Sequence, residues 1–133
     1  MAESFPFELV SPERLVLSQD VTEVRIPASD GQMTIMKDHA PTMTTVKPGV
    51  VFVKLADGSD ETIFVDGGFA DINANGLSLL AEIAMPSSEM DGDTLSKHIS
   101  AAEEVAASAE DELQDIAALR LADLMQAKSD LSL

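Results

Sequence analysis

The 133-residue sequence predicts a mainly β fold with an α appendage: an antiparallel β-sandwich over residues 1–86, then a helical hairpin over residues 87–133. Composition breaks at Pro86, since all six prolines, all five phenylalanines and every glycine except Gly92 lie at or before it. The remaining residues hold nine alanines and neither Pro nor Phe. At the same place the apolar period changes from two, which suits a half-buried strand, to about 3.6, which suits a helix.

The strands follow in order. Phe5, Phe7 and Leu9 alternate with Pro6, Glu8 and Val10; Leu15 and Leu17 alternate with Val16 and Ser18; Val24 and Ile26 alternate with Glu23 and Arg25. Val50 to Leu55, Thr62 to Val65 and Leu77 to Ile83 are further β-rich runs. Asp30-Gly31, Pro48-Gly49, Asp57-Gly58, Gly67-Gly68 and Asn75-Gly76 punctuate them, each offering the positive φ that many tight turns require. Gly49, Gly67 and Gly68 are accordingly read as structural turn residues. This spacing of strands and turns predicts about eight to ten strands.

Leu95, Ile99, Ala102, Val105 and Ala109 fall at helical spacing behind Asp93, a candidate N-cap. A second helix is expected from Ser108, where Ser108 and Asp111 form an acidic variant of the capping box. Its apolar positions would be Leu113, Ile116, Leu119, Leu121 and Leu124, with Arg120 turned to solvent. One long helix is an alternative, because no Gly or Pro forces a break. Neither helix is long enough to be stable alone, so each needs its partner or the sandwich.

Eight Lys and Arg face 24 Asp and Glu, for a formal charge of −16. A nucleic-acid partner is excluded on that balance, because affinity for phosphate backbones comes from basic side chains that displace counterions. Direct insertion into a membrane is not expected either, as the longest uncharged stretch, Ile72 to Ala81, falls well below the roughly 20 residues of a spanning helix. Zero Cys removes disulfides, thiolate nucleophiles and Cys-based metal sites. Met1-Ala2-Glu3-Ser4 lacks the basic start of a signal peptide, so a reduced compartment is expected.

Catalytic constellations fail for lack of parts. The phosphate loop G-x-x-x-x-G-K-[ST] and the G-x-S-x-G elbow are absent. His39 and His98 lie in different parts of the chain, and adjacent Asp38 and His39 point apart in extended backbone. A calcium-loop reading of Glu89 to Asp93 puts His98 where a bidentate Glu is needed, so that segment reads as a solvated linker. No catalytic residue, metal ligand or cofactor site is assigned. Met33, Met36 and Met43 suit either core filling or an adaptable contact surface.

Gly31 to Pro41, reading Gly-Gln-Met-Thr-Ile-Met-Lys-Asp-His-Ala-Pro, followed by Lys47-Pro48-Gly49, resembles a segment of the epsilon subunit of F-type ATP synthases. Phe64 to Phe69 is similar to that family's Gly-Gly-Phe turn, and Leu77 to Ala84 to the strand after it. The resemblance implies a non-catalytic subunit of the central stalk, or rotor. It would link the gamma subunit to the membrane ring of c subunits and so couple proton transport to ATP synthesis. It also implies a peripheral location at the cytoplasmic face of the bacterial inner membrane. In many bacterial members the tail restrains ATP hydrolysis at the catalytic alpha/beta head.

Carried over by position, Asp30, Gly31, Gln32 and Met33 would face the c-ring, and His39, Ala40 and Pro41 the gamma subunit. Gln32 stands where the family usually has Glu, Thr34 replaces Gly, and Lys37-Asp38 replaces Pro-Gly. A competing reading is a nucleotide-sensing regulatory module. The family's ATP motif maps to Met90 to Leu95, where Thr94 takes the place of the phosphate-pairing Arg and Asp93 would repel a polyphosphate.

Overall fold

The computed structural model describes residues 3–131 except Asp30, Asp38, Asp91, Ala109 and Asp111, so expectations placed on those five lie outside the described residues. Seven strands precede two helices: β1 (Phe5–Val10), β2 (Leu15–Ala28), β3 (Gly31–Ile35), β4 (Thr42–Thr45), β5 (Gly49–Leu55), β6 (Asp60–Asn73), β7 (Gly76–Pro86), α1 (Gly92–Ser108) and α2 (Glu112–Asp130). Hydrogen bonding runs β1-β7-β6-β5-β2-β3, and a further β1–β2 pairing closes the first five strands into a ring. Every pair is antiparallel except β1 with β7.

The ring is flattened into two layers, and the long strands serve both. The first half of β6 pairs with β5 and the second half with β4, while β2 pairs first with β1 and then with β3 and β5. The expectation of eight to ten strands is therefore corrected to seven among the described residues: each layer looks like a separate set of short strands, but three long ones bend from one layer into the other.

Each bend is visible as a change in which side chains face the core. In β6, Ile63 and Val65 point inward, then Ala70 and Ile72 do. In β7 the inward set passes from Leu77, Leu79 and Ala81 to Ala84, and in β2 from Val21 to Val24 and Ile26. An odd step between inward residues reverses the faces, because the side-chain period of a strand is two. In β2 the reversal coincides with a bulge between Val21 and Glu23. In β6 it falls at Gly67 and Gly68, with φ of +75° and +120°, while the β6–β7 register is the same on both sides. These two glycines form a kink inside a strand, which corrects their reading as a turn between strands. Gly49 is corrected as well: it opens β5, and a Cβ there would lie 2.8 Å from Pro27 Cβ, so close approach is what demands Gly.

Two apolar clusters hold the molecule. The larger lies between the layers and includes Phe7, Leu9, Ile26, Ile35 and Leu79. The second joins the outer face of the β5–β6 layer, at Val50, Phe52, Phe64 and Met85, to Leu95, Ile99, Ala102, Leu124 and Ala127 of the hairpin. Both faces of β5 are thus covered, which accounts for its nearly unbroken apolar run.

α1 buries Leu95, Ile99 and Ala102 as its spacing predicts, but Val105 is exposed. Asp93 sits inside the first turn, where its charge favours the helix dipole, rather than at the cap. Ser108 ends α1, donating its hydroxyl to Glu104 O at 2.9 Å, and does not start the next helix. α2 shows the largest correction. Leu113, Ile116 and Leu119 are 59–67% exposed, whereas Leu124 is buried and Leu121 half-buried against the hairpin cluster, as expected. Ala117 and Ala127 are the other buried positions of the helix.

Candidate functional site

Two surfaces of the sandwich and one seam beneath the hairpin concentrate the residues of interest. The β2–β3 connection ends with Ala28 opposite Gly31, whose φ of +123° needs glycine although the space around it is open. Gln32 points to solvent, whereas Met33, opposite Ile26, packs against the main core. Of the four residues expected at a c-ring contact, Gln32 is thus the exposed side chain, Met33 is half-buried, and Asp30 is outside the described residues.

His39, Ala40 and Pro41 lie beyond the opposite end of β3. His39 Nδ1 is 2.8 Å from Ala40 O, so that nitrogen carries a donated hydrogen, and the Thr42 hydroxyl donates to the same carbonyl at 2.9 Å. The ring lines a cavity of about 210 Å³ shared with Phe5, Met36 and the β6–β7 turn. Its acceptor is a main-chain carbonyl rather than a carboxylate, so the arrangement shapes the approach to β4 and builds no acid–base pair. The structure does not bring Gly31–Met33 and His39–Pro41 together; it holds them apart at the two ends of one short strand.

A further surface joins Met43, which was expected to suit either core filling or an adaptable contact, to two exposed residues the sequence reading missed. Met43 on β4, Phe69 on β6 and Leu80 on β7 are 68%, 40% and 43% exposed. Phe69 is opposite both Thr45 and Leu80, and Met43 is opposite Asp71, so all three lie on the outer face of one layer. With Val10 and Pro12, Phe69 and Leu80 border an open groove of about 360 Å³. A signal was available: Ala70 and Ile72 set the inward parity after the glycine kink, which turns Phe69 outward. It is readable only once the kink is known to reverse the faces.

The seam beneath the hairpin holds the best-formed polar contact of the molecule. Asp66, 4% exposed, accepts two hydrogen bonds from Arg120, both of 2.6 Å, in a fork-to-fork pair. Arg120 is 44% exposed, as a solvent-facing position would be, but its guanidinium also reaches over β6, where the buried Asp66 carboxylate needs a partner. The hydrogen bond that Arg120 donates to Asp66 raises the Arg120 pKa above its ordinary value, with a further contribution from the charges of Asp66 and Glu82 working against desolvation. Lys47 and Asp123 form a second, looser pair at 3.6 Å. His98 of α1 packs its ring against Phe64 at 6.0 Å between centroids. Among the described residues, no group of three or more His, Cys, Asp or Glu could hold a metal ion, and no helix is long and apolar enough to cross a membrane.

Residues 4–87 match the family model for the ATP synthase delta/epsilon chain, beta-sandwich domain. Over 102 residues the chain is 59% identical to the ATP synthase epsilon chain of Rhizobium johnstonii and 61% identical to that of Rhizobium meliloti, covering 77% of this chain and 76% of each relative. The chain belongs to the ATP synthase epsilon family. Its fold is shared with a chain in the Euglena gracilis mitochondrial ATP synthase OSCP/F1/c-ring structure, at TM-score 0.77 and 22% identity over 96% of this chain and 81% of that one. A chain in the Tetrahymena thermophila mitochondrial central stalk/c-ring structure matches at TM-score 0.68 and 12% identity, covering 95% and 97%. These likenesses extend through the hairpin, so the sandwich-plus-hairpin arrangement of this epsilon-family chain is shared along nearly its whole length.

Proposed function

We propose that this epsilon-family chain is a non-catalytic central-stalk subunit that joins gamma to the c-ring and transmits rotation between them. Family membership at about 60% identity carries the reading, and the solved structures that share its fold are an OSCP/F1/c-ring assembly and a central stalk/c-ring assembly. The surfaces suit a connector: a closed strand ring resists deformation, and exposed apolar residues in a contiguous patch mark a protein contact. Met43, Phe69 and Leu80 form the gamma-facing patch, with His39–Pro41 leading directly into β4 at its edge. Gly31 and Gln32 face the c-ring, and the subunit sits peripherally at the cytoplasmic face of a bacterial inner membrane. The hairpin is a weak inhibitor of hydrolysis: residues 87–133 hold eleven acids against Lys97, Arg120 and Lys128, an excess that opposes insertion beside like charge.

The experiment is capture of gamma from the same organism by the full chain and by Phe69→Ser/Leu80→Ser. Loss of capture, with the unfolding midpoint unchanged, is the expected result. Undiminished capture places the contact elsewhere. A chain ending at Ser88 should still capture gamma, since residues 1–86 are proposed as an independent domain.

A further inference from the structure

The hairpin rests on the sandwich through Leu124 and Ala127 of α2, which share a cluster with Val50 and Phe64. Sliding α2 by one turn would bring Arg120 to the place of the buried Ala117 and Asp130 to that of Ala127, so packing already opposes that register. Apolar contact itself is non-directional. Charge adds a directional preference. Asp66 on β6 meets Arg120, and Lys47, just before β5, meets Asp123. Both sheet-side groups lie at the end of the β5–β6 pair where Gly49 faces Val65. On the helix side, positions three apart stand about 5–6 Å from each other on one face. That is close to the spacing of directly opposed residues on neighbouring strands.

We propose that Lys47 and Asp66 form a bipolar docking site that fixes the register and direction of α2 on the sandwich, taking a helix that presents Arg and Asp one turn apart in that order. The two pairs have opposite polarity, and this is what makes them selective. Sliding α2 by one turn brings Asp123 to Asp66, and running it in the opposite direction sets Arg120 against Lys47. The Asp66 side chain is only 5% exposed, so a wrong register leaves a buried carboxylate facing an acid instead of a guanidinium. Glu82 adds a second acid near the Arg120 position and sharpens the same preference. Opposed charges of this kind cost little in the correct state and penalise the alternatives. The site also gives Lys47 of the Lys47-Pro48-Gly49 motif, and Asp66 just before the Gly67-Gly68 kink, a role beyond shaping turns. It stands independently of the gamma and c-ring assignments.

The test transposes the helix charges in the full chain, Arg120→Asp with Asp123→Arg, which keeps composition and the net charge of −16. Hydrogen exchange of α2 is compared with wild type and with the neutral Arg120→Gln/Asp123→Gln, and peptides from β5 and β6 report whether the sandwich stays folded. The expected result is exchange in α2 at least tenfold faster than wild type and clearly faster than in the neutral variant, with β5 and β6 still protected. Transposed and neutral variants exchanging alike, or a transposed α2 within twofold of wild type, would overturn the proposal. Should the transposed chain lose protection in β5 and β6 as well, Asp123→Lys, which sets like charge against Lys47 alone, is read in its place with Asp123→Gln as its neutral reference and the same thresholds.

Discussion

Gly68→Ala should destabilise the sandwich by about 3–6 kcal/mol, and the structure supplies its own control. The backbone at Gly68 has φ of +120°, and an added Cβ would stand 2.0 Å from Leu80 O and 2.8 Å from Ala81 Cα. Gly58, in the β5–β6 turn, has φ of +93° but nothing within 4 Å of the same position. Both substitutions carry the penalty for an L-residue at positive φ, about 1–3 kcal/mol. Gly68→Ala alone also meets main chain that is locked in the β6–β7 ladder, where Phe69 pairs with Leu80. Relieving that overlap means breaking one or two ladder hydrogen bonds in a buried setting, at about 1–3 kcal/mol each. With a urea slope of about 2 kcal/mol per molar, the midpoint should fall by about 1.5–3 M for Gly68→Ala and by about 0.5–1.5 M for Gly58→Ala. The assay is a urea titration followed by the methyl resonances of Val51 and Ile63, both in the sandwich core. If Gly68→Ala shifts the midpoint no more than Gly58→Ala does, the close approach of β6 and β7 at this kink is wrong.

Leu124→Ala empties a fully buried position of the hairpin cluster and should weaken docking by about 2–3 kcal/mol. Faster exchange in α2 at an unchanged sandwich midpoint would register it. MgATP titrated into the full chain in a calorimeter should give no saturable isotherm, because Thr94 holds the place of the phosphate-pairing Arg and Arg120 is taken by Asp66. Asp57 accepts from the Ser59 hydroxyl at 2.5 Å and from its N–H at 2.8 Å, which lowers its pKa below the usual 3.8. For a depressed carboxyl, the stabilisation of that turn is present above pH 3.8 and is lost as pH falls through the folded value. A carbon-detected NMR titration should find the Asp57 carboxyl below 3.8, and Ser59→Ala should return it toward that value.

Local pattern was enough for those parts of this protein whose causes are local. The Asp57-Gly58 and Asn75-Gly76 turns, the Leu95, Ile99 and Ala102 stripe and the break after Pro86 each follow from residues a few positions apart, because backbone conformation and side-chain period act over that range. Family membership was legible for a related reason: short motifs in register survive as strings. The other features depend on residues far apart in the chain. Arg120 meets Asp66 across 54 positions, and no periodicity in α2 announces it. The five leucine and isoleucine positions of α2 suggest a wider apolar face than the one that docks, because which part of it meets the sandwich is set by the distant strands: Leu121 and Leu124 do, and Leu113, Ile116 and Leu119 do not. The double glycine in β6 signals positive φ, yet whether the chain turns there or only kinks is set by its neighbours. β7 pairs on both sides of the kink without a change of register, so the strand continues and its faces exchange. That exchange sends Phe69 outward, and with it the surface on which the proposed gamma contact rests.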